Sequence, residues 1–260
     1  QVTVHRKTGK CIKAIVFVHV WGNAAKLDEL ISLCEERNIV VVEDAAESLG
    51  TWYETGIHAS KHTGTLGTFG CLSFNGNKIV TSGGGGMILT NDERLAELAR
   101  HLTTQARNSD LYYEHDAVGY NYRLTNLQAA VGLAQLERLP DILRLKNYIH
   151  SRYVSLVESL ETYEILSGPN YASNNYWLNM LRWSGDSLHR NVSHLLTQFS
   201  ENNIQVRPLW LPNHLQKPYA HCQTYKLDNV EDFCSKALCL PSGIELQDGH
   251  LDAVINCLYV

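Results

Sequence analysis

Two apolar runs and the segment between them restrict the fold most. Lys13–Val20 (KAIVFVHV) and Ile39–Val42 are continuous stretches rich in β-branched residues. Between them, Lys26–Arg37 carries Leu27, Leu30, Ile31 and Cys34 at i, i+3, i+4 and i+7, one apolar helix face. Strand, helix and strand over this length make a βαβ unit with a right-handed crossover. Runs apolar at every position predict parallel strands buried on both faces. In such a sheet, ligands gather beyond the carboxyl ends of the strands. The second run leads directly into Glu43 and Asp44, which puts Asp44 at such an end. A helix cap or a surface charge is the competing reading of Asp44.

Further on, Thr51–Gly70 has little periodicity and reads as loop, and Met87–Thr90 as a short strand. Asn91 or Asp92 then caps a helix whose inner face is Leu95, Leu98 and Leu102. A tyrosine-rich loop over 103–122 precedes a long helix from Thr125, broken or kinked near Pro140. From about Glu164 the texture changes. Tyr176–Trp183 alternates as a half-exposed strand, Leu188–Phe199 is an amphipathic helix, and Ile204–Val206 reads as another strand. Helices around Val230–Leu238 and Leu246–Leu258 close a smaller α+β domain with an antiparallel sheet. The expected domains are 1–150 and 151–260.

Composition removes several function classes. With 44% hydrophobic and 19% charged residues, the 260-residue chain has ample core material. A net charge of -5 with no basic stretch among aromatics argues against nucleic acid as a partner. The apolar runs are too short to span a bilayer, and no basic stretch leads into an apolar one as in a secretory leader. The expectation is a cytoplasmic protein. Seven cysteines without a Cys-x-x-Cys pair read as reduced thiols, mostly buried. The twelve histidines show no paired ligand spacing, so no metal is expected.

The stretch that carries chemistry is CLSFNGNKIVTSGGGGM (Cys71–Met87). It sets Lys78 between a Ser-Phe-Asn-Gly-Asn approach and four glycines, Gly83 to Gly86, where backbone without Cβ leaves room for a bulky planar ligand. A flexible hinge is the alternative use of those glycines. A lysine amine, a strand-end carboxylate and nearby hydroxyls are the set that pyridoxal phosphate requires. The amine forms a Schiff base, the acid keeps the ring nitrogen protonated, and hydroxyls and amides bind the phosphate.

EDAAESLG (Glu43–Gly50), GTLGTFGCLSFNGNKIVTSGGGGMI (Gly64–Ile88) and GYNYRLTNLQAAVGLAQLERL (Gly119–Leu139) resemble the DegT/DnrJ/EryC1/StrS family of pyridoxal-phosphate-dependent sugar aminotransferases. The wording FNGNK with four glycines looks most like the branch that aminates UDP-linked 4-keto-6-deoxy sugars for surface glycans. The resemblance runs from about Lys13 onward. It implies an α/β fold of the aspartate-aminotransferase type (fold type I), here with an incomplete large-domain sheet and a smaller α+β C-terminal domain.

Carried over by resemblance, Lys78 matches the Schiff-base lysine and catalytic acid–base, Asp44 the partner of the ring nitrogen, and Ser73 a phosphate-binding hydroxyl. Asn121 matches an asparagine that reaches the phosphate of a neighbouring subunit, which implies a homodimer. Glu47 stands where many relatives carry glutamine or histidine near the ring and its 3′-oxygen. An ionised carboxylate only accepts hydrogen bonds, so either Glu47 is protonated or its contact differs. RPLWLPNHLQKPY (Arg207–Tyr219) resembles the segment that closes over the sugar nucleotide. That makes Trp210 and His214 substrate-contact candidates, with domain packing as the alternative. The implied reaction is ping-pong, with glutamate as amino donor and a nucleotide-linked keto sugar as acceptor.

Family members also carry an N-terminal portion with a Gly-Thr turn for the phosphate and an aromatic that stacks on the ring. Neither motif stands ahead of Lys13, and the chain begins at a glutamine, as a fragment would. A competing reading is therefore a non-catalytic homologue that keeps the motif residues and acts as an interaction module. A sugar dehydratase of the same family would replace the lysine with histidine.

Overall fold

The computed structural model describes residues 3–109, 111–185 and 191–259. In chain order the elements begin β1 (Ala14–Val18), α1 (Asp28–Glu36), β2 (Val40–Asp44), β3 (Trp52–Tyr53), β4 (Phe69–Ser73) and β5 (Gly86–Leu89). There follow α2 (Glu93–Thr103), α3 (Asn126–Glu137), α4 (Leu139–Val157), β6 (Tyr163–Ile165), β7 (Ala172–Ser173) and β8 (Asn179–Trp183). The chain closes with α5 (Val192–Glu201), β9 (Arg207–Pro208), α6 (Asp228–Ser235), β10 (Ala237–Leu240) and α7 (Asp248–Asn256). Two compact units result. One comprises Gln1–Leu143 with Gly168–Trp177, the other Arg144–Ser167 with Leu178–Val260.

In the first unit the expected βαβ unit is present, with β1 and β2 parallel and α1 between them. The sheet order is β1-β2-β4-β5, parallel up to β4 and reversed at β5. Leu27, Ile31 and Cys34 are buried as the pattern predicts, whereas Leu30 is exposed. The prediction that these strands are buried on both faces fails. Val16 and Val18 of β1 and Val40 of β2 are exposed, because one sheet face carries no cover among the described residues. Asp92 caps α2 by accepting from the Leu95 amide. Thr125 and Gln128 form a reciprocal capping box at the start of α3. The break at Pro140 is real: α3 ends at Glu137, and α4 begins with Pro140 in its first turn, where the missing N–H costs nothing.

The loop expected over 51–70 contains β3, which pairs antiparallel with β7 in a two-stranded ribbon. Gly168–Trp177 thereby belongs to the first unit.

The second unit is built on the expected antiparallel sheet, order β6-β8-β10-β9. Tyr153 of α4, Leu181 and Trp183 of β8, Phe199 of α5 and Leu238 of β10 are all at most 2% exposed and form its core. Burying one such aromatic contributes about 1.5–3 kcal/mol. The strand expected at Ile204–Val206 is displaced to Arg207–Pro208. The helix expected from Leu188 begins at Val192, and positions 188–190 lie outside the described residues. None of the seven cysteines forms a disulfide among the described residues. Cys34 and Cys257 are buried, Cys11 and Cys222 exposed, and the remainder half-buried. Among the described residues no helix is long and apolar enough to cross a membrane.

Candidate active site

The site grows from the carboxyl end of β2. Alternation along a strand sends neighbouring side chains to opposite faces, so Glu43 and Asp44 part company. Glu43 turns inward and is fully buried. Its carboxylate accepts from His19 Nε2 at 2.9 Å and from the Gly64, Leu66 and Gly67 amides at 2.8, 2.6 and 2.6 Å. Because His19 Nδ1 accepts from the Ala25 amide at 3.0 Å, the ring proton sits on Nε2 and is donated to Glu43. Burial alone would raise the Glu43 carboxyl. The hydrogen bonds from His19, Gly67 and Gly64 more than offset that and hold it below the usual range.

Asp44 takes the other face, half-buried, with Oδ1 accepting from the Ala46 amide at 3.2 Å. Its charge reaches Cys71, the β4 residue in register with it, where burial and Asp44 together raise the thiol. β4 runs parallel to β2, so Ser73 stands at the same sheet end, two residues past Asp44's partner and about 7 Å further along the strand.

Glu47 follows in the turn after β2. One oxygen accepts from the Trp21 amide at 2.7 Å, and the other lies 3.5 Å from Lys78 Nζ. Trp21 has φ 56 and precedes Gly22 at φ 85, a left-handed pair that aims the Trp21 N–H at the turn. Asn175 locks this region, donating to the Glu47 and Leu49 carbonyls at 2.8 and 2.9 Å. Burial pushes the Glu47 carboxyl up. The Trp21 hydrogen bond and Lys78 pull it down, and the Asp44 charge adds to the rise. Glu47 thus feels both Lys78 and Asp44, which brings the three groups to one end of the sheet.

Lys78 sits in the loop joining β4 to β5. Ser73 pairs with Gly86 at the neck, and buried Phe74, Ile79 and Val80 anchor the loop from within. The lysine amide donates to Asn75 O at 3.1 Å. The Nζ lies 4.1 Å from the centroid of the Trp177 ring, and the indole N–H donates to Asn77 O at 2.6 Å. The glycines serve backbone geometry first. Gly83 and Gly85 take positive φ, and a Cβ on Gly86 would lie 2.4 Å from Leu72 O.

Of the other sequence candidates, Asn121 is exposed and forms a bridge with Thr104. In the second unit, Trp210 is half-exposed just after β9, and its carbonyl faces Cys234 Sγ. His214 Nε2 lies 2.9 Å from Glu231 Oε1 in a pair internal to that unit. Sequence reasoning missed His19, Glu43, Trp21, Asn175 and Trp177. The one usable signal was the Asn-Asn pair at 174–175, two polar residues immediately ahead of the strand read at Tyr176–Trp183.

The comparisons with known proteins converge. The sequence profile of the DegT/DnrJ/EryC1/StrS aminotransferase family matches residues 1–259. EpsN of Bacillus subtilis (strain 168) is 39% identical over 97% of this chain and 64% of its own length. The GDP-perosamine synthase of Vibrio cholerae is 34% identical over 98% of this chain and 68% of its own. Among solved structures, the aminotransferase TlmJ from Streptoalloteichus hindustanus superimposes with a TM-score of 0.86 at 26% identity, covering 97% of this chain and 66% of that one. The chain therefore spans about two thirds of the length of the relatives it matches. With a family profile matched over nearly its whole length and a mixed α/β fold shared with that aminotransferase, the chain belongs to the DegT/DnrJ/EryC1/StrS aminotransferase family.

Proposed function

We propose that the protein is a pyridoxal 5′-phosphate-dependent aminotransferase. In this reading it moves an amino group from glutamate to a nucleotide-linked 4-keto-6-deoxy sugar, in the cytoplasm, for surface polysaccharide synthesis. The observation that carries the reading is the convergence on Glu47: Lys78 Nζ stands 3.5 Å away, and the charge of Asp44 acts on the same carboxyl. The GDP-perosamine synthase relative supports a nucleotide-linked sugar as substrate.

The residues present suit the cofactor. Asp44 offers an acid for a ring nitrogen, Lys78 an amine for an aldehyde, and Ser73 a hydroxyl for a phosphate, all at one sheet end. When bound, the cofactor supplies that aldehyde and an electron-accepting ring. Asp44 holds a proton at the ring nitrogen. Ser73 donates its hydroxyl hydrogen to phosphate. Lys78 would be the general base that takes the proton from the donor's α-carbon and the general acid that returns it. Glu47, fixed by the Trp21 amide, holds the lysine chain toward the same end. Asn121 serves the phosphate of a neighbouring subunit, which makes the working unit a homodimer. Trp210 and His214 contact the sugar nucleotide.

The test is direct. The chain is mixed with pyridoxal phosphate, reduced with borohydride and digested. The expected result is a phosphopyridoxyl mass on the Lys78 peptide, lost in Lys78→Ala. Wild type should then release 2-oxoglutarate from glutamate only when a UDP- or GDP-linked 4-keto-6-deoxy sugar is present. Failure to label Lys78 overturns the reading in favour of a non-catalytic homologue.

A further inference from the structure

Lys78 Nζ is engaged from two sides by groups that attract an ammonium. The Glu47 carboxylate lies at 3.5 Å and the face of Trp177 at 4.1 Å. Neither partner is adjustable. Glu47 is fixed by the Trp21 amide, and its backbone carbonyl by Asn175. Trp177 is buried at 3% exposure, its amide bound by Asn175 Oδ1 and its indole N–H by Asn77 O, next to the lysine itself. The same asparagine thus sets both walls, and the tryptophan also pins the backbone that carries the amine.

Both attractions favour a compact ammonium, which carries its charge on one nitrogen with three N–H groups. A carboxylate and the negative face of an aromatic ring stabilise an ammonium strongly when water is excluded. A nitrogen double-bonded to carbon carries fewer N–H groups and a spread charge, and gains less from either.

We propose that Trp177 and Glu47 form a holding site for the free Lys78 ammonium, with Trp177 the positioning residue that keeps the amine beside its reaction position when it is not bonded to a carbonyl carbon. The role of Lys78 rests on the proposed function; the holding site is a property of this chain alone. It explains why an aromatic ring is buried against a lysine beyond simple packing. It also gives the Asn-Asn-Tyr-Trp stretch a task that a strand would not perform. Weakening either wall favours the bonded lysine over the free one.

The experiment uses cofactor-free protein. Amines are labelled with acetic anhydride at neutral pH, and the Lys78 rate is normalised to that of exposed Lys10. Replacing tryptophan by mono-, di- and trifluorinated analogues drains the ring face while keeping its shape and access. The Lys78 rate should then rise stepwise. Trp177→Leu should raise it about fivefold, and Trp177→Phe, which keeps a ring face, should stay near wild type. Glu47→Gln should raise it as well. A Lys78 rate unchanged along the fluorinated series overturns the holding site, even if Trp177→Leu fails to fold. Borohydride trapping on the same samples reads the role of Lys78 separately. Trapping with no fluorination trend sinks only the holding site, and a trend without trapping sinks only the assignment of the lysine.

Discussion

His19 and Glu43 form a buried pair, Nε2 to Oε2 at 2.9 Å with neither side chain exposed, immediately behind the acid of the site. Glu43 ties the end of β2 to the 64–67 loop through three amides, so the pair fixes where Asp44 is presented.

Glu43→Ala should cost at least about 3 kcal/mol in urea unfolding. It leaves three amides and the His19 N–H without an acceptor, each worth about 1–3 kcal/mol when buried. The pH dependence has a definite sign. A carboxyl held below its ordinary value of 4.5 in the fold binds its proton more tightly when unfolded. Its contribution is complete above pH 4.5 and is lost as pH falls through the folded value. Wild type should lose stability through that acid window, and Glu43→Gln should lose less over the same range.

Gly70→Ala tests the same corner from β4. A Cβ there would sit 1.8 Å from Gly64 O, backbone that cannot swing aside, and Gly64 is one of the amides bound to Glu43. The expected loss is about 3 kcal/mol, at the upper end for overpacking. Thermal unfolding reads it; a melting temperature equal to wild type would show that the loop yields.

Lys146, in the second unit, donates from Nζ to the Ser242 carbonyl. Burial pushes its amine down to about 8, with Glu245 pulling partly back. Between about pH 8 and its ordinary 10.5 the unfolded chain binds more protons than the folded one, so this lysine makes stability rise with pH through that window. Lys146→Met should remove that rise in denaturant midpoints measured from pH 7 to 10. Parallel curves for the two proteins would refute it.

Asp44→Asn separates chemistry from architecture. An amide oxygen can still accept from the Ala46 amide, so stability should change by less than about 1 kcal/mol. It cannot hold a proton at a ring nitrogen as an ionised acid does. Amino transfer should therefore fall about 10²-fold or more, read as 2-oxoglutarate release.

What could be read from the sequence follows the range of each interaction. The β1-α1-β2 unit, a cap at Asn91 or Asp92, the helix start at Thr125 and the break at Pro140 are local patterns, and each is legible. Lys78 and Asp44 are legible only as motifs. Periodicity says nothing of Glu47 meeting Lys78, because that depends on the turn after β2 meeting a loop from another strand. β3 and β7 are two-residue strands that exist only by pairing with each other across more than a hundred residues. Glu43 received no role from the sequence because its partners are mostly amides of a loop, which carry no residue identity. The exposure of Val16 and Val18 was hidden for a related reason: a run of valines reports what a strand can bury, not which neighbours cover it.

The reversal at β5 has a mechanical consequence for the lysine. Since Ser73 and Gly86 are cross-strand partners, residues 74–85 form a noose drawn tight at its knot. The reach of the amine is set by that closure rather than by the slack in the chain. A side chain at position 86 would press on Leu72 O, loosen the knot and let the amine drift, though it touches neither Lys78 nor anything Lys78 touches.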